Sequence, residues 1–401
     1  MTARAPIALG IFLMGHGHNV GSWRSSETPA EDLLGLEHYR RIAAHAERGR
    51  LDMIFLAEIL YSYETAGRHE GALAFPTLDP MVLHGALSAV TEAIGLVGTY
   101  STTYTHAEAT ALKLATLDRL NGGRTGWNIV TTGADQASAN FSARQHPEKE
   151  ARYVMAGDYV AEVRRFWQSL PPLPQGEPVR VQAGMSPHGK SFAAQVAEVL
   201  FTIARDRETA IAFRREVRGL VAGAGRDPDA VRVMPGIAPI IGSTEAEALA
   251  REQAYLELLH PRIQLAMLSD QFGMDFSGHA LDKPLPMEEI RQAPKVLSGA
   301  RDPDRLINAD GGVPTLGDYL RQQARVRAHH SFVGTPEQLA DHLDDWTAAG
   351  ACDGFNFTFP VQSEDVPLLV DEVVPILRRR GLVRRDYEGH TLRSHLGLKQ
   401  P

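Results

Sequence analysis

The sequence predicts an α/β fold, a (β/α)₈ TIM barrel with insertions, and three observations predict it. Short, β-rich apolar runs alternate with longer stretches of helical periodicity, the pattern of βαβ units and a mostly parallel sheet. Eight such runs can be counted along the chain. The chain has 401 residues, a length that α/β barrels reach as one domain. An open, doubly wound sheet shares the local pattern; the count of eight favours closure.

The strand candidates are residues 7–14, 53–57, 94–99, 126–130, 179–182, 199–203, 233–241 and 354–359. Helical segments lie between them at 32–48, 80–90, 106–120 and 152–167. Two places break the rhythm. Residues 258–327 form a long stretch with scattered Pro and Gly, which reads as an insertion over a barrel mouth. At 171–177 the sequence PPLPQGE follows a helix directly, where a strand is expected first and none is visible. The whole chain, 1–401, is thus expected to be a single barrel domain with an insertion at about 258–327.

Composition narrows the function. The net charge of -8 argues against nucleic acid as the main partner, because phosphate backbones are held by clustered Lys and Arg. The single cysteine, Cys352, excludes an internal disulfide and suits a reducing, cytoplasmic location. The apolar run near the N-terminus is too short to span a membrane, and no cleavage-site pattern follows it. It reads as the first strand.

Active sites of barrels sit at the C-terminal ends of the strands, so the residues there are the candidates. His16 and His18 follow the first run, with Gly15 and Gly17 between and before them. They could ligate a metal, line a pocket, or decorate a loop. A metal site opening with H-x-H needs further Lys, His and Asp at later strand ends, and the fourth and fifth supply none. Glu58 ends the second run, as a ligand of metal or substrate, a contact to a cofactor edge, or a capping acid. The hydroxyl cluster from Thr99 to Tyr104 ends the third. In NGGRTGWN a helix stops at the glycines, and a short strand then carries Asn128, an amide that needs several hydrogen-bond partners when buried. The block QAGMSPHG is strand, glycine turn and helix start. Its free amides and Ser186 suit one phosphate, or Ser186 is a helix cap and nothing more. No dinucleotide fingerprint is present.

These motifs combine into a resemblance. TEAIGLVGTYSTTYTHAEATALKLATLDRLNGGRTGWNIVTT, NF at 140–141, RYVMAGDYVAEVRRFW and QGEPVRVQAGMSPHGKSFAAQVAEVLF, then SFVGTPEQLADHL, DGFNF, VVPILRRRGL and GHTLRSHLGL, follow in order. The chain resembles, over nearly all its length, the nitrilotriacetate and dibenzothiophene-sulfone monooxygenase branch of the bacterial luciferase-like flavoproteins. The blocks NGGRTGWNIVTT and QAGMSPHG are the most specific. The resemblance implies a barrel that uses FMN as FMNH₂, supplied by a separate NAD(P)H:FMN reductase, with O₂ and a small organic substrate, in a homodimer or homotetramer. It implies flavin contacts at Glu58, Thr99, Asn128, Tyr153, Gly184, Met185 and Ser186, with Tyr153 and Ser186 at the phosphate. It places His18 near the reactive face of the flavin, and His330, ahead of SFVGTPEQ, is the second catalytic candidate.

Two departures stand out. The family commonly has His four residues before the RY tyrosine; this chain has Lys149, with His146 out of register. The family also has several tens of residues between the RFW helix and the PQG turn, supplying a strand and pocket wall, and here they are missing. The chemistry implied is transfer of one oxygen atom of O₂ to substrate, the other leaving as water, with the cofactor carrying the hard step. Three alternatives share the fold: a flavin-binding barrel without turnover, a deazaflavin-dependent oxidoreductase of the same superfamily, and a metal-dependent hydrolase.

Overall fold

The computed structural model describes residues 5–25, 34–61, 78–141, 145–297, 302–308, 310–326 and 329–401. Nine parallel strands are present among them: β1 (Ala8–Leu13), β2 (Met53–Leu56), β3 (Gly95–Ser101), β4 (Thr125–Val130), β5 (Val179–Gln182), β6 (Val199–Thr202), β7 (Arg232–Ile241), β8 (His330–Gly334) and β9 (Gly354–Phe357). Eight close into a ring: β1 to β7 pair in sequence, β7 pairs with β9, and β9 pairs with β1. This is the (β/α)₈ barrel, and each of the eight expected runs is one of its strands to within two residues at either end.

The ninth strand, β8, was not expected. Ile237 of β7 pairs with Phe357 of β9 on one edge and with His330 of β8 on the other. Lower down, residues Arg232 to Pro235 hold β6. β8 therefore prolongs the sheet beyond the end of β6 and takes no place in the ring. Its residues are only half-buried up to Gly334, so the run lacks the continuous apolar pattern of a strand covered on both faces.

No barrel strand is lost at the shortened 171–177 stretch. The long helix Lys149–Ser169 is followed by a tight turn, with an isolated bridge between Leu173 and Gly176. The chain then enters β5, which pairs directly with β4 from Gly126↔Val179 to Ile129↔Gln182. The ring closes without the residues that the family pattern places there.

Alternation along the strands sorts the core into two layers. Ala8, Phe12, Met53, Phe55, Val97, Val179, Val181, Val199, Phe201 and Met234 point into the ring. Leu9, Ile11, Ile54 and Leu56 face the helices, as do Trp127 and Ile129. The N-terminal end of the ring is plugged by the last turn of chain. Leu392 and Leu396 join the interior cluster, and the buried Arg393 between them donates to Glu198 at 2.6 Å and to the carbonyl of Gln175 at 3.1 Å. That is the structural meaning of GHTLRSHLGL and of PQGE.

Arg124, in the glycine-rich block, is also structural. It is buried and donates to Asn121 O, Ile94 O, Thr91 O, Ser88 O and Thr91 Oγ1, all neutral acceptors. The positive charge sits where the helix Pro80–Ser88 ends, the favourable pole for a cation. The described part of the 258–327 stretch has a small core of its own, including Leu268, Phe272, Phe276, Ile290, Leu316 and Tyr319. No helix among the described residues is long and apolar enough to cross a membrane.

Candidate active site

At the C-terminal mouth of the ring lies a cleft of about 430 Å³, walled by residues 58–61 after β2, 129–134 at the end of β4, Lys149, Arg152 and Tyr153 at the start of the long helix, and 182–184 at the end of β5. Three strand ends and one helix start thus converge on it, as the barrel rule requires.

One end of the cleft is cationic. Arg152 is buried; its Nη1 donates to the carbonyl of Pro147 at 2.6 Å while Nε has no partner. No ion pair to Arg152 exists among the described residues, and burial pulls its pKa down. A buried cation with no carboxylate is costly unless an anion joins it. Beside it, the ring of Tyr153 stacks on His188 and packs against Phe192. Both partners belong to the helix Pro187–Val196, whose N-cap is Ser186, accepting from Gly189 N at 3.2 Å. Gly184 and Gly189 approach so closely that a Cβ on Gly184 would lie 2.8 Å from Gly189 Cα. Only glycine allows the turn to fold back onto the helix start. Lys149, in place of the family histidine, lines the same cleft, whereas His146 bonds Tyr104 instead.

The opposite end holds unsatisfied polar atoms. Glu58 accepts from the backbone of Ser101, but its Oε2 is buried without a partner. Burial first, and the charge of Asp79 second, push its carboxyl up to about 8. Asn128 is buried one residue below the cleft wall. Its Nδ2 donates to Thr99 Oγ1 at 2.9 Å, Thr99 in turn donates to Leu56 O at 2.7 Å, and Asn128 Oδ1 is left without a partner. Thr99 therefore orients Asn128 and does not itself face the cleft. Met185 is partly exposed, its sulfur receiving the N–H of Ile203. It is outside the cleft wall, as is Ser186.

The histidines fall differently. His18 is buried on the β1 side of the mouth, outside the wall of this cleft, with Nε2 3.0 Å from Phe12 O and its ring 4.6 Å from that of Phe12. His330 opens β8 and is turned outward. Its ring stacks on that of His342 at 4.9 Å and lies tilted against Trp346 at 4.8 Å, and Nδ1 lies 2.9 Å from Arg205 O. The preceding residue, His329, is the one turned inward: its ring is 5.6 Å from Phe201 and 6.3 Å from His18. It sits against Gly236, where a Cβ would be 2.3 Å from its Nδ1. Sequence reading missed His329 and Arg152. The doublet His329-His330 and the Arg-Tyr pair at 152–153 were visible, but which member faces inward depends on the backbone. A second, smaller cleft of about 100 Å³ lies between Asn19–Val20 and the helices Pro261–Phe272 and Leu316–Val326. Among the described residues no group of three or more His, Cys, Asp or Glu is placed to hold a metal.

The luciferase-like monooxygenase family model matches residues 9–352. The chain belongs to the luciferase-like monooxygenase family. It is 38% identical to N-acetyl-S-(2-succino)cysteine monooxygenase of Bacillus subtilis, over 98% of this chain and 97% of that one. It is 34% identical to nitrilotriacetate monooxygenase component A of Aminobacter aminovorans, over 100% and 98%. Among solved structures, DmoA from Hyphomicrobium sulfonivorans superposes with a TM-score of 0.85 at 27% identity, covering 98% of this chain and 92% of that one.

Proposed function

We propose that this chain is the oxygenase of a two-component flavin system: an FMNH₂-dependent monooxygenase that oxygenates a small organic substrate with O₂. The single observation that carries the reading is the cleft, with a buried cation lacking a carboxylate at one end and unpartnered polar atoms at the other. The donors fit FMN. Arg152, Lys149, Tyr153 and the Gly184–Ser186 turn at a helix start would hold its phosphate. Glu58 and Asn128 offer a carboxyl and an amide oxygen to the donor and acceptor edge of the ring, with Asn128 set by Thr99. When bound, the reduced flavin supplies the electrons by which one oxygen atom of O₂ reaches substrate and the other leaves as water.

The protein's own part is to bind, orient and keep water out. The apolar floor of Phe12, Phe55 and Phe201 lies under the mouth, and a dry site protects the reaction from discharge by solvent. His18 and His329 stand over that floor, and imidazole is the group that exchanges protons near neutral pH. His330, packed on Trp346, is better read as a strand and helix contact. The cleft at Asn19, the residue after His18, offers the substrate a place beside that histidine. One relative carries "component A" in its name, and the sequence shows no dinucleotide fingerprint, which supports supply of reduced flavin by a separate NAD(P)H:FMN reductase. Residues 1–401 act as one barrel domain, with 258–327 as its cover. The exposed Val82, Leu112, Val154 and Met155, on neighbouring helices of the barrel's outer layer, support a homodimer. The lone, buried Cys352 suits a cytoplasmic enzyme.

The test is a flavin titration with FMN and with riboflavin. FMN binding tighter by tenfold or more, with the difference lost in Arg152→Ala, supports a phosphate at the Arg152 end. Equal binding of the two flavins contradicts it.

A further inference from the structure

We infer that Gln362 is a positioning residue that sets the protonation form of His18; the inference rests on His18 serving the reaction as proposed above. Gln362 is fully buried and opens the short helix Gln362–Leu368 that follows the turn after β9. Its Nε2 donates to Phe12 O at 2.7 Å, and the same carbonyl lies 3.0 Å from His18 Nε2. A carbonyl only accepts, so neutral His18 carries its proton on Nε2. Phe12 O is thereby shared by two donors, and a carbonyl oxygen has two lone pairs to accept them.

The surrounding backbone makes this arrangement rigid. Gln362 N–H donates to His16 O at 2.7 Å, His18 N–H to Phe359 O at 2.8 Å, and Asn19 N–H to Pro360 O at 3.2 Å. The HGHN loop after β1 is thus laced to the turn after β9. Gly17 is the point of closest approach: a Cβ there would lie 2.1 Å from Pro360 O. The lacing is anchored in turn by Asp365, which accepts from Val361 N at 2.9 Å, from Tyr255 OH at 2.8 Å and from Arg251 at 3.0 Å. Asn19 Nδ2 returns to Tyr255 O at 2.7 Å. The titratable groups around the His18 ring are His329 across the mouth, His16 with its neighbour His38 on the loop side, and Asp365 with Arg251 and Glu364 beneath the turn.

Sharing has a chemical consequence. While Gln362 occupies part of Phe12 O, that oxygen is a weaker acceptor for His18. Without the amide donor, the whole acceptor serves His18 Nε2–H, and the charged imidazolium, the stronger donor, gains most. A carboxyl at 362 behaves as a switch: protonated it donates as the amide does, ionised it cannot.

The experiment is nitrogen NMR on ¹⁵N-histidine-labelled full-length protein, with His18 assigned by the signal lost in His18→Phe. Wild type is expected to show neutral His18 protonated on Nε2. Gln362→Met, which keeps length and removes the donor, is expected to raise the His18 midpoint by about 0.5 pH unit or more, roughly threefold in proton affinity. Gln362→Glu is expected to match wild type at acidic pH and diverge as the new carboxyl ionises. It serves as the deciding variant if the Met form does not fold. A His18 midpoint and tautomer unmoved in whichever variant folds, with FMN binding intact, overturns the inference. So does neutral His18 protonated on Nδ1. If Gln362→Met moves the His18 titration but His18→Phe oxygenates substrate as well as wild type, the positioning stands and the catalytic reading of His18 falls.

Discussion

Glu58 makes the stability of the flavin-free protein depend on pH in a way that one substitution should remove. Its carboxyl is pushed from 4.5 up to about 8 by burial and by Asp79. The folded state therefore prefers the protonated acid. The contribution is fully present below the unfolded value and is lost as pH rises through 4.5 towards about 8. Taking both titrations together, the change between pH 5 and pH 9 is about 4 kcal/mol before screening. Water reaching the partly open side chain reduces that to about 2–3 kcal/mol. Glu58→Gln keeps the shape and carries no charge. Urea unfolding of both proteins without flavin, from pH 5 to pH 9, should show wild type losing ground to the variant by about that amount, most of it below pH 8. Parallel curves for the two proteins refute the argument, because they mean Glu58 is solvated or paired in the folded state.

Other outcomes follow from the same geometry. Ser186→Ala should weaken FMN binding by about 1–3 kcal/mol, the usual loss of a hydrogen bond to a charged group; an unchanged dissociation constant counts against a phosphate at that turn. Leu392→Ala should cost about 2–5 kcal/mol of stability, because the side chain is wholly buried in the ring's plug, while FMN affinity of the folded variant stays put. The pure protein given NADH and FMN should show no steady NADH oxidation until a reductase is added. His18→Phe should keep FMN binding while product formed per reduced flavin falls by roughly 10²–10⁴-fold, as for a lost acid–base group; unchanged product removes His18 from the reaction.

Much of the fold was legible because barrel strands are buried on both faces and read as continuous apolar runs. Residues 53–56 and 199–202 are plain examples, every one of them buried. β8 was illegible for the converse reason. His330, Ser331 and Phe332 are covered on one side only, and the short run merges with the helix signal that follows it. The shortened 171–177 stretch suggested a lost strand, since nothing in a sequence says whether a missing segment belonged to the ring or lay outside it. Of the cleft, Glu58 and Gly184 were readable from their places at strand ends, and Tyr153 from the family resemblance alone. Arg152 was not, because adjacent residues on a helix face different ways and only packing shows that this cation is buried without a carboxylate. The histidine doublet at 329–330 posed the same problem in a strand, where neighbours point to opposite faces. The motif was visible, but which of the two faced the ring was not.

The central claim, that this barrel holds reduced FMN for reaction with O₂, is tested most directly by rapid mixing. Reduced FMN bound to the protein is mixed with air-saturated buffer and its reoxidation is followed by absorbance, against free reduced FMN at the same concentration. The account predicts that the bound flavin reoxidises with distinct kinetics and a transient spectrum absent from the free cofactor, and that Arg152→Ala at equal protein concentration returns the trace towards that of free flavin. A trace identical to free flavin at protein concentrations well above those of FMN would contradict it.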